Sequence, residues 1–188
     1  MKTLIKDVFD LLALNAKQVH YYGKYSLVTS SLIVLLISTA FHLAMPVPAI
    51  SEMVSFTFAT VINFLIYIIA VLFLCLWLKI KKLSVSFSAL YSLSALTSVV
   101  QILVLPIEGL STWLELPILL TLNVPLFIYG FIISISALCK GTNASTAFVL
   151  SGMLLTFLIL VLVSAAMHIL GIEAGILLLP NDFAANGH

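Results

Sequence analysis

The sequence contains no arginine, and charged residues of all kinds make up only 8% of its 188 positions. Ordinary soluble domains carry about 25% charged residues, so a soluble globular fold is excluded. Cysteine is almost missing as well. Cys75 and Cys139 stand alone at the ends of apolar runs, where reduced, buried thiols are expected rather than a disulfide framework. A net charge of +1 provides no basic surface for nucleic acid and no surplus for an acidic substrate. Enzyme signatures are also lacking: there is neither a His-Glu-x-x-His pair nor a Gly-x-Ser-x-Gly elbow, and Lys82 begins no phosphate loop. Ser164 and His168 lie four apart on one helix face, but nothing polar is placed to orient the imidazole as a nucleophile–base pair requires. The expectation is a non-enzymatic protein without a cofactor or a metal.

What the chain does have is apolar length. Apolar residues make up 63% of it. Five runs, at about 26–45, 54–78, 83–107, 116–138 and 146–170, reach the roughly 20 residues needed to cross a hydrocarbon core about 30 Å thick. They predict an all-α, polytopic membrane bundle of five transmembrane helices. Before it, residues 1–25 form an amphipathic segment that does not read as a cleavable signal peptide. Leu4, Ile5, Val8, Leu11 and Leu12 recur at helical spacing, opposite Lys2, Lys6, Asp7, Asp10 and Lys17. Such a helix is expected to lie in the membrane interface with its lysines toward anionic headgroups, and Tyr21, Tyr22 and Tyr25 mark the headgroup level. Pro46-Val-Pro48 ends the first span, Pro106 and Gly109 close the third, and Asn123 with Pro125 interrupts the fourth. Gly141 reads as a helix stop, with Thr142 or Ser145 capping the fifth span. Residues 171–188 form a tail whose apolar stretch, Ile176 to Leu179, is too short to cross again.

Charge placement predicts the orientation. All eight basic residues are lysines. They fall in the N-terminal segment (Lys2, Lys6, Lys17, Lys24), the second connection (Lys79, Lys81, Lys82) and the fourth (Lys140). Glu52, Glu108, Glu115, Glu173 and Asp182 occupy the first connection, the third and the tail. Lysines in short loops stay cytoplasmic, which predicts an inside N-terminus and an outside C-terminus, fitting a bacterial inner membrane. Asn143-Ala144-Ser145 matches a glycosylation pattern, yet its connection is cytoplasmic on this topology.

Span three is the most hydroxyl-rich. Phe87, Tyr91, Ser94, Ser98 and Gln101 form one stripe, with Ser84, Ser88, Ser92 and Ala95 beside it. Small and hydroxyl-bearing residues let membrane helices approach closely and bond across the contact, so this helix is expected at the bundle centre. Candidate partners are Thr57, Thr60 and Asn63 of span two and Asn123 and Ser134 of span four. Leucine at Val100 or Val104, off the stripe, is expected to be tolerated. The same stripe with Asn63 and Asn123 offers a second reading, a polar path in a small oligomeric transporter or channel subunit, since broken helices build many transporter sites. His42 and His168, with Glu108 and Glu115, lie toward one membrane face without metal-ligand spacing.

The whole plan resembles the Yip (Rab-interacting protein) domain family in its bacterial branch. The local resemblance is carried by Ser84-Val-Ser-Phe87-Ser-Ala-Leu-Tyr91, by Pro125-Leu-Phe-Ile-Tyr-Gly130, and by Leu138-Cys-Lys-Gly141 with Ser145-Thr-Ala147. The mid-span proline of the family is absent around Val99 and Val100. The Asp-Leu-Tyr-Gly-Pro and Gly-Tyr-x-x-x-Pro signatures of its eukaryotic members are absent too, so no Rab GTPase partner is carried over. The resemblance implies a scaffold or trafficking-type protein that organises membrane lipids, with a homo-oligomer or other membrane proteins as partners and no catalytic residues.

Overall fold

The computed structural model describes residues 2–44 and 47–178. Pro46, and the tail from 179 onward with Pro180 and Asp182, lie outside the described residues. The first turn of each of the first three spans is closed by a serine. Ser26 Oγ accepts from the Thr29 N–H (3.1 Å) as α3 (Leu27–Ala44) begins. Ser51 does the same for Val54 (3.3 Å) ahead of α4 (Glu52–Ile80), and Ser86 for Ala89 (3.3 Å) ahead of α5 (Phe87–Thr97). Each hydroxyl satisfies a donor that a helix start leaves without a partner. Ser145 precedes the last helix, α8 (Thr146–Glu173), but makes no such bond through its side chain. Two short helices come before the spans, α1 (Lys2–Leu12) and α2 (Val19–Tyr22). The result is an all-α bundle in which, among the described residues, five helices are long and apolar enough to cross a membrane.

Spans three and four share a construction that the sequence only half announces. Span three does not close at Pro106 and Gly109. It passes through a 3₁₀ stretch, Ser98–Leu103, and resumes as α6 (Val104–Trp113). Span four opens with a 3₁₀ stretch, Pro117–Leu122, and continues as α7 (Asn123–Thr142). In both, the proline is the third residue of the resumed helix. A proline ring clashes with the carbonyl four residues back and offers it no N–H; here those carbonyls belong to Ile102 and Thr121, inside the 3₁₀ turns. The hydroxyls of Thr97 and Ser98 both donate to the Ser94 carbonyl (2.9 and 3.0 Å) as the helix tightens.

This break corrects an expectation. A 3₁₀ helix turns about 120° per residue against about 100° in an α-helix, so six residues rotate the following face by about 120°. Val104 is therefore fully buried, and Val100 is nearly so because the face it shares with Leu93 and Leu96 is itself buried; neither is free to take leucine.

Half of span three's hydrophobic window is buried, against 11% for span four and 17% for span five, and α5 touches α1, α2, α3, α4 and α7. Its hydroxyls are bonded across helices. Ser92 meets Ser30 (2.7 Å), Tyr91 meets Ser31 (3.3 Å), and the Ser134 hydroxyl donates to Thr97 (3.3 Å). Of the partners expected from sequence, Ser134 is the one that meets these hydroxyls among the described residues. Span one supplies the other two, and Thr60 keeps a buried hydroxyl with no partner among the described residues.

Gly141 has a different role from the one its sequence context suggests. The helix runs through it to Thr142, and Asn143 ends it in the left-handed region (φ 56°). A Cβ on Gly141 would come within 2.7 Å of the Val19 side chain, so the residue allows the N-terminal segment to seat against span four. At the opposite end, Ala49 and Leu177 form an antiparallel bridge. The Ile50 N–H donates to Ile176 and the Leu178 N–H to Pro48 (3.2 Å each).

Overpacking the centre should therefore destabilise the bundle. Ser92→Leu, Ala95→Leu and Val104→Leu should each cost roughly 1–3 kcal/mol, while Leu162→Ala, on an exposed face, should stay within about 0.5 kcal/mol. Thermal unfolding in detergent reads the difference, and equal tolerance at all four positions would place span three against lipid.

Candidate functional site

The polar residues singled out in the sequence divide into two groups. Ser94, Ser98 and Gln101 of span three line one cavity of about 320 Å³ with Asn63 and Tyr67 of span two and Ser38 of span one. The other wall positions are apolar, among them Ile37, Ile66, Val71 and Leu160 of span five. Asn63 and Gln101 thus bring two amides to one space, beside the 3₁₀ break. That break begins 11 residues after Phe87, about 16 Å along the helix axis at 1.5 Å per residue and so near the middle of a hydrocarbon core.

The remaining stripe residues are elsewhere. Ser88 sits 3.5 Å from Ser86 at the start of α5. Tyr91 is buried between Ser31 and the rings of Tyr67 and Phe87. Asn123 donates to Glu108 (3.4 Å), tying the far end of span three to span four, and its Oδ1 is buried with no partner among the described residues.

His42 and His168 converge, whereas Glu108 and Glu115 do not join them. The two histidines line a cavity of about 140 Å³ with Phe58, Asn63 and Ser164. His168 Nδ1 lies 2.8 Å from the Ser164 carbonyl, an acceptor, so in the neutral ring that nitrogen carries the proton. The contact uses the Ser164 backbone and not its hydroxyl, which is no nucleophile–base arrangement. His42 and His168 each pack edge-on to a phenylalanine, Phe56 and Phe58 respectively. Glu108 is with Asn123, and Glu115 is exposed in the turn after α6 at φ 53°. Among the described residues no cluster of three or more His, Cys, Asp or Glu side chains has metal-binding geometry. Cys75 and Cys139 are free thiols.

The lysines gather at one end of the bundle, with a feature that hydropathy does not reveal. Asp7, expected on the polar face of the first helix, is 1% exposed. It accepts from Lys24 (2.6 Å), Tyr25 (2.6 Å), Lys17 (2.7 Å) and Tyr21 (3.1 Å). Helix α1 is thereby docked on the bundle: Leu11, Val19 and Tyr22 enter the same core as α5 and α7, and Ile5 and Phe9 remain exposed. Lys140 donates to the Leu14 carbonyl (2.6 Å) and Tyr129 to that of Leu12. Lys81 lies over the Phe148 ring at 4.7 Å, Lys79 is exposed, and Lys82 ends the α4 connection at φ 57°.

Burial pushes the Asp7 carboxyl up, but the bonds from Lys17, Lys24, Tyr25 and Tyr21 outweigh it and hold the group well below its ordinary 3.8. The bond to Asp7 holds Lys17 above 10.5. Lys24 is raised too, against a loss to burial, by the same carboxylate. Burial and Asp7 together push the Tyr25 phenol up to about 12. The Asp7 contribution is thus fully present above pH 3.8 and is lost as pH falls through the depressed value. The lysine contributions are present below 10.5 and are lost as pH rises through their raised values.

Asp7→Asn should release the docked helix. The two lysines are each about a third exposed, so the cost should be about 2 kcal/mol rather than the 3–5 kcal/mol of a fully buried pair. Amides of α1 should then exchange roughly thirtyfold faster, and strong acid should do the same to the native protein. Unchanged protection in the variant would remove Asp7 as the anchor. Compared with known proteins, the chain matches no family model, no curated protein and no solved structure, so its own geometry is what bears on its function.

Proposed function

We propose that this is a non-enzymatic integral membrane protein of a bacterial inner membrane, with its lysine end cytoplasmic, that organises anionic lipids and partner membrane proteins. One observation carries the reading. Docking through Asp7 leaves Lys2 and Lys6 exposed on α1 together with apolar Ile5 and Phe9, at the end that also bears Lys79, Lys81, Lys82 and Lys140. Exposed apolar side chains beside lysines are the chemistry of a surface that rests in a headgroup layer. Each lysine near an anionic leaflet contributes about 1 kcal/mol of attraction. The resemblance to the Yip domain family supports the same reading.

Protein in nanodiscs of zwitterionic lipid with a minor anionic fraction should retain the anionic lipid preferentially. A Lys79/Lys81/Lys82→Gln variant should lose at least tenfold in that preference. Native mass spectrometry of the retained lipid reads both, and equal retention of the two lipid classes by the unaltered protein would overturn the proposal.

A second reading, transport, is favoured by the cavity between Asn63 and Gln101. Solute-selective flux in liposomes, lost in Asn63→Leu and Gln101→Leu variants, would establish it in place of the first. On the organising reading no such flux occurs. Asn123, bonded to Glu108, lies outside that cavity and is not a test of it.

A further inference from the structure

Three half-open clefts share lining residues. The first, of about 410 Å³, lies at the acidic end between His42, Val47, Ala49, Ser51, Glu52 and Ser55. It shares His42 and Val47 with the histidine cavity, which in turn shares Phe41, Asn63 and Ile66 with the cavity holding Gln101. One face of α4 lines the whole series: Glu52, Ser55, Ala59, Ile62, Ile66 and Ala70 follow one another at steps of three and four. From Glu52 to Val71 that face runs about 28 Å at 1.5 Å per residue. Beyond Val71 the bundle is closed by Leu74, Leu78, Leu90 and Val34, all in the buried core.

We propose that these cavities form a single blind vestibule, open at the acidic end, that binds a small neutral solute bearing amide or hydroxyl groups. The lining decides the ligand class. Past Glu52 at the mouth, the two inner cavities present imidazoles, amides, hydroxyls and a phenol, with no lysine and no carboxylate. A fixed charge would find no counter-charge there and a low-dielectric wall around it, which is costly. Asn63 and Gln101 each offer both donors and an acceptor, which suits a neutral ligand that also has both. His42 lines both the mouth and the histidine cavity, and its Nδ1 is buried with no protein partner among the described residues. Such a nitrogen calls for a water or a ligand atom. The inner cavity has about twice the volume of one that holds benzene, enough for roughly ten to fifteen non-hydrogen atoms.

Thiol chemistry tests this directly, with iodoacetamide as the neutral amide probe and iodoacetate as its anionic counterpart. In a Cys75→Ser/Cys139→Ser background, Asn63→Cys, Ser98→Cys and Gln101→Cys are compared in nanodiscs with buried Ser92→Cys and with Leu162→Cys on the exposed outer face of the bundle. Rates are normalised to the same thiols in denaturant, and thermal unfolding checks each variant. Iodoacetamide should modify the three vestibule thiols at least tenfold faster than the two controls, and at least tenfold faster than iodoacetate does. Ser55→Trp at the mouth should slow all three. Three results would each overturn the proposal: no excess over the controls, equal rates with the two reagents, or modification only by a lipid-soluble maleimide. Modification that Ser55→Trp leaves unchanged would overturn the assigned entrance and, with it, the single vestibule.

Discussion

In hydrocarbon a polar group is met by protein or it is costly. Span three carries more of such groups than any other span, and the arrangement of the bundle follows from their need for partners. Span one is held to it through Ser30 and Ser31, and span four through Ser134. Individually such bonds average only about 0.6 kcal/mol in membrane proteins. Their influence is on register: helices with hydroxyls at fixed heights have few ways to align, whereas leucine faces slide. Span five, without that requirement, packs on the outside against α4 and α7.

The 3₁₀ break in span three belongs to the same constraint. Tightening the helix at Ser98–Leu103 changes which side chains face the neighbours, and the Thr97 and Ser98 hydroxyls both bond the Ser94 carbonyl just ahead of it. Residues that look redundant as helix glue are occupied in holding an irregular backbone. The break also sets Gln101 against Asn63, so the irregularity and the polar cavity share one origin.

The five spans were legible because about 20 apolar residues in a row have few other uses. Ser94, Ser98, Gln101 and Asn63 were legible as a group because polar residues at helical spacing in an apolar run must face something other than lipid. Val104 was misplaced because the 3.6-residue period was carried through a segment that does not obey it, and Val100 because α5 is buried on the faces beside its stripe as well. Ser30 and Ser31 were overlooked because span one has no obvious stripe, and pairing is a property of two helices that no single helix displays. Asp7 was read as a surface residue because amphipathicity assigns every charge to water. Its partners, ten to eighteen residues along the chain, are brought back by a turn and a second helix. Helical periodicity contains no information about that return.

The antiparallel bridge between Ala49 and Leu177 joins the connection after span one to the segment after span five. Four spans are synthesised between these two pieces. The bridge therefore cannot exist until the last span is in place, whatever the earlier helices have done. Ala49 also forms part of the mouth at the acidic end. A chain truncated before α8 would keep its central helix and the residues that line the mouth, but would lose the bridge that braces Ala49 at its rim.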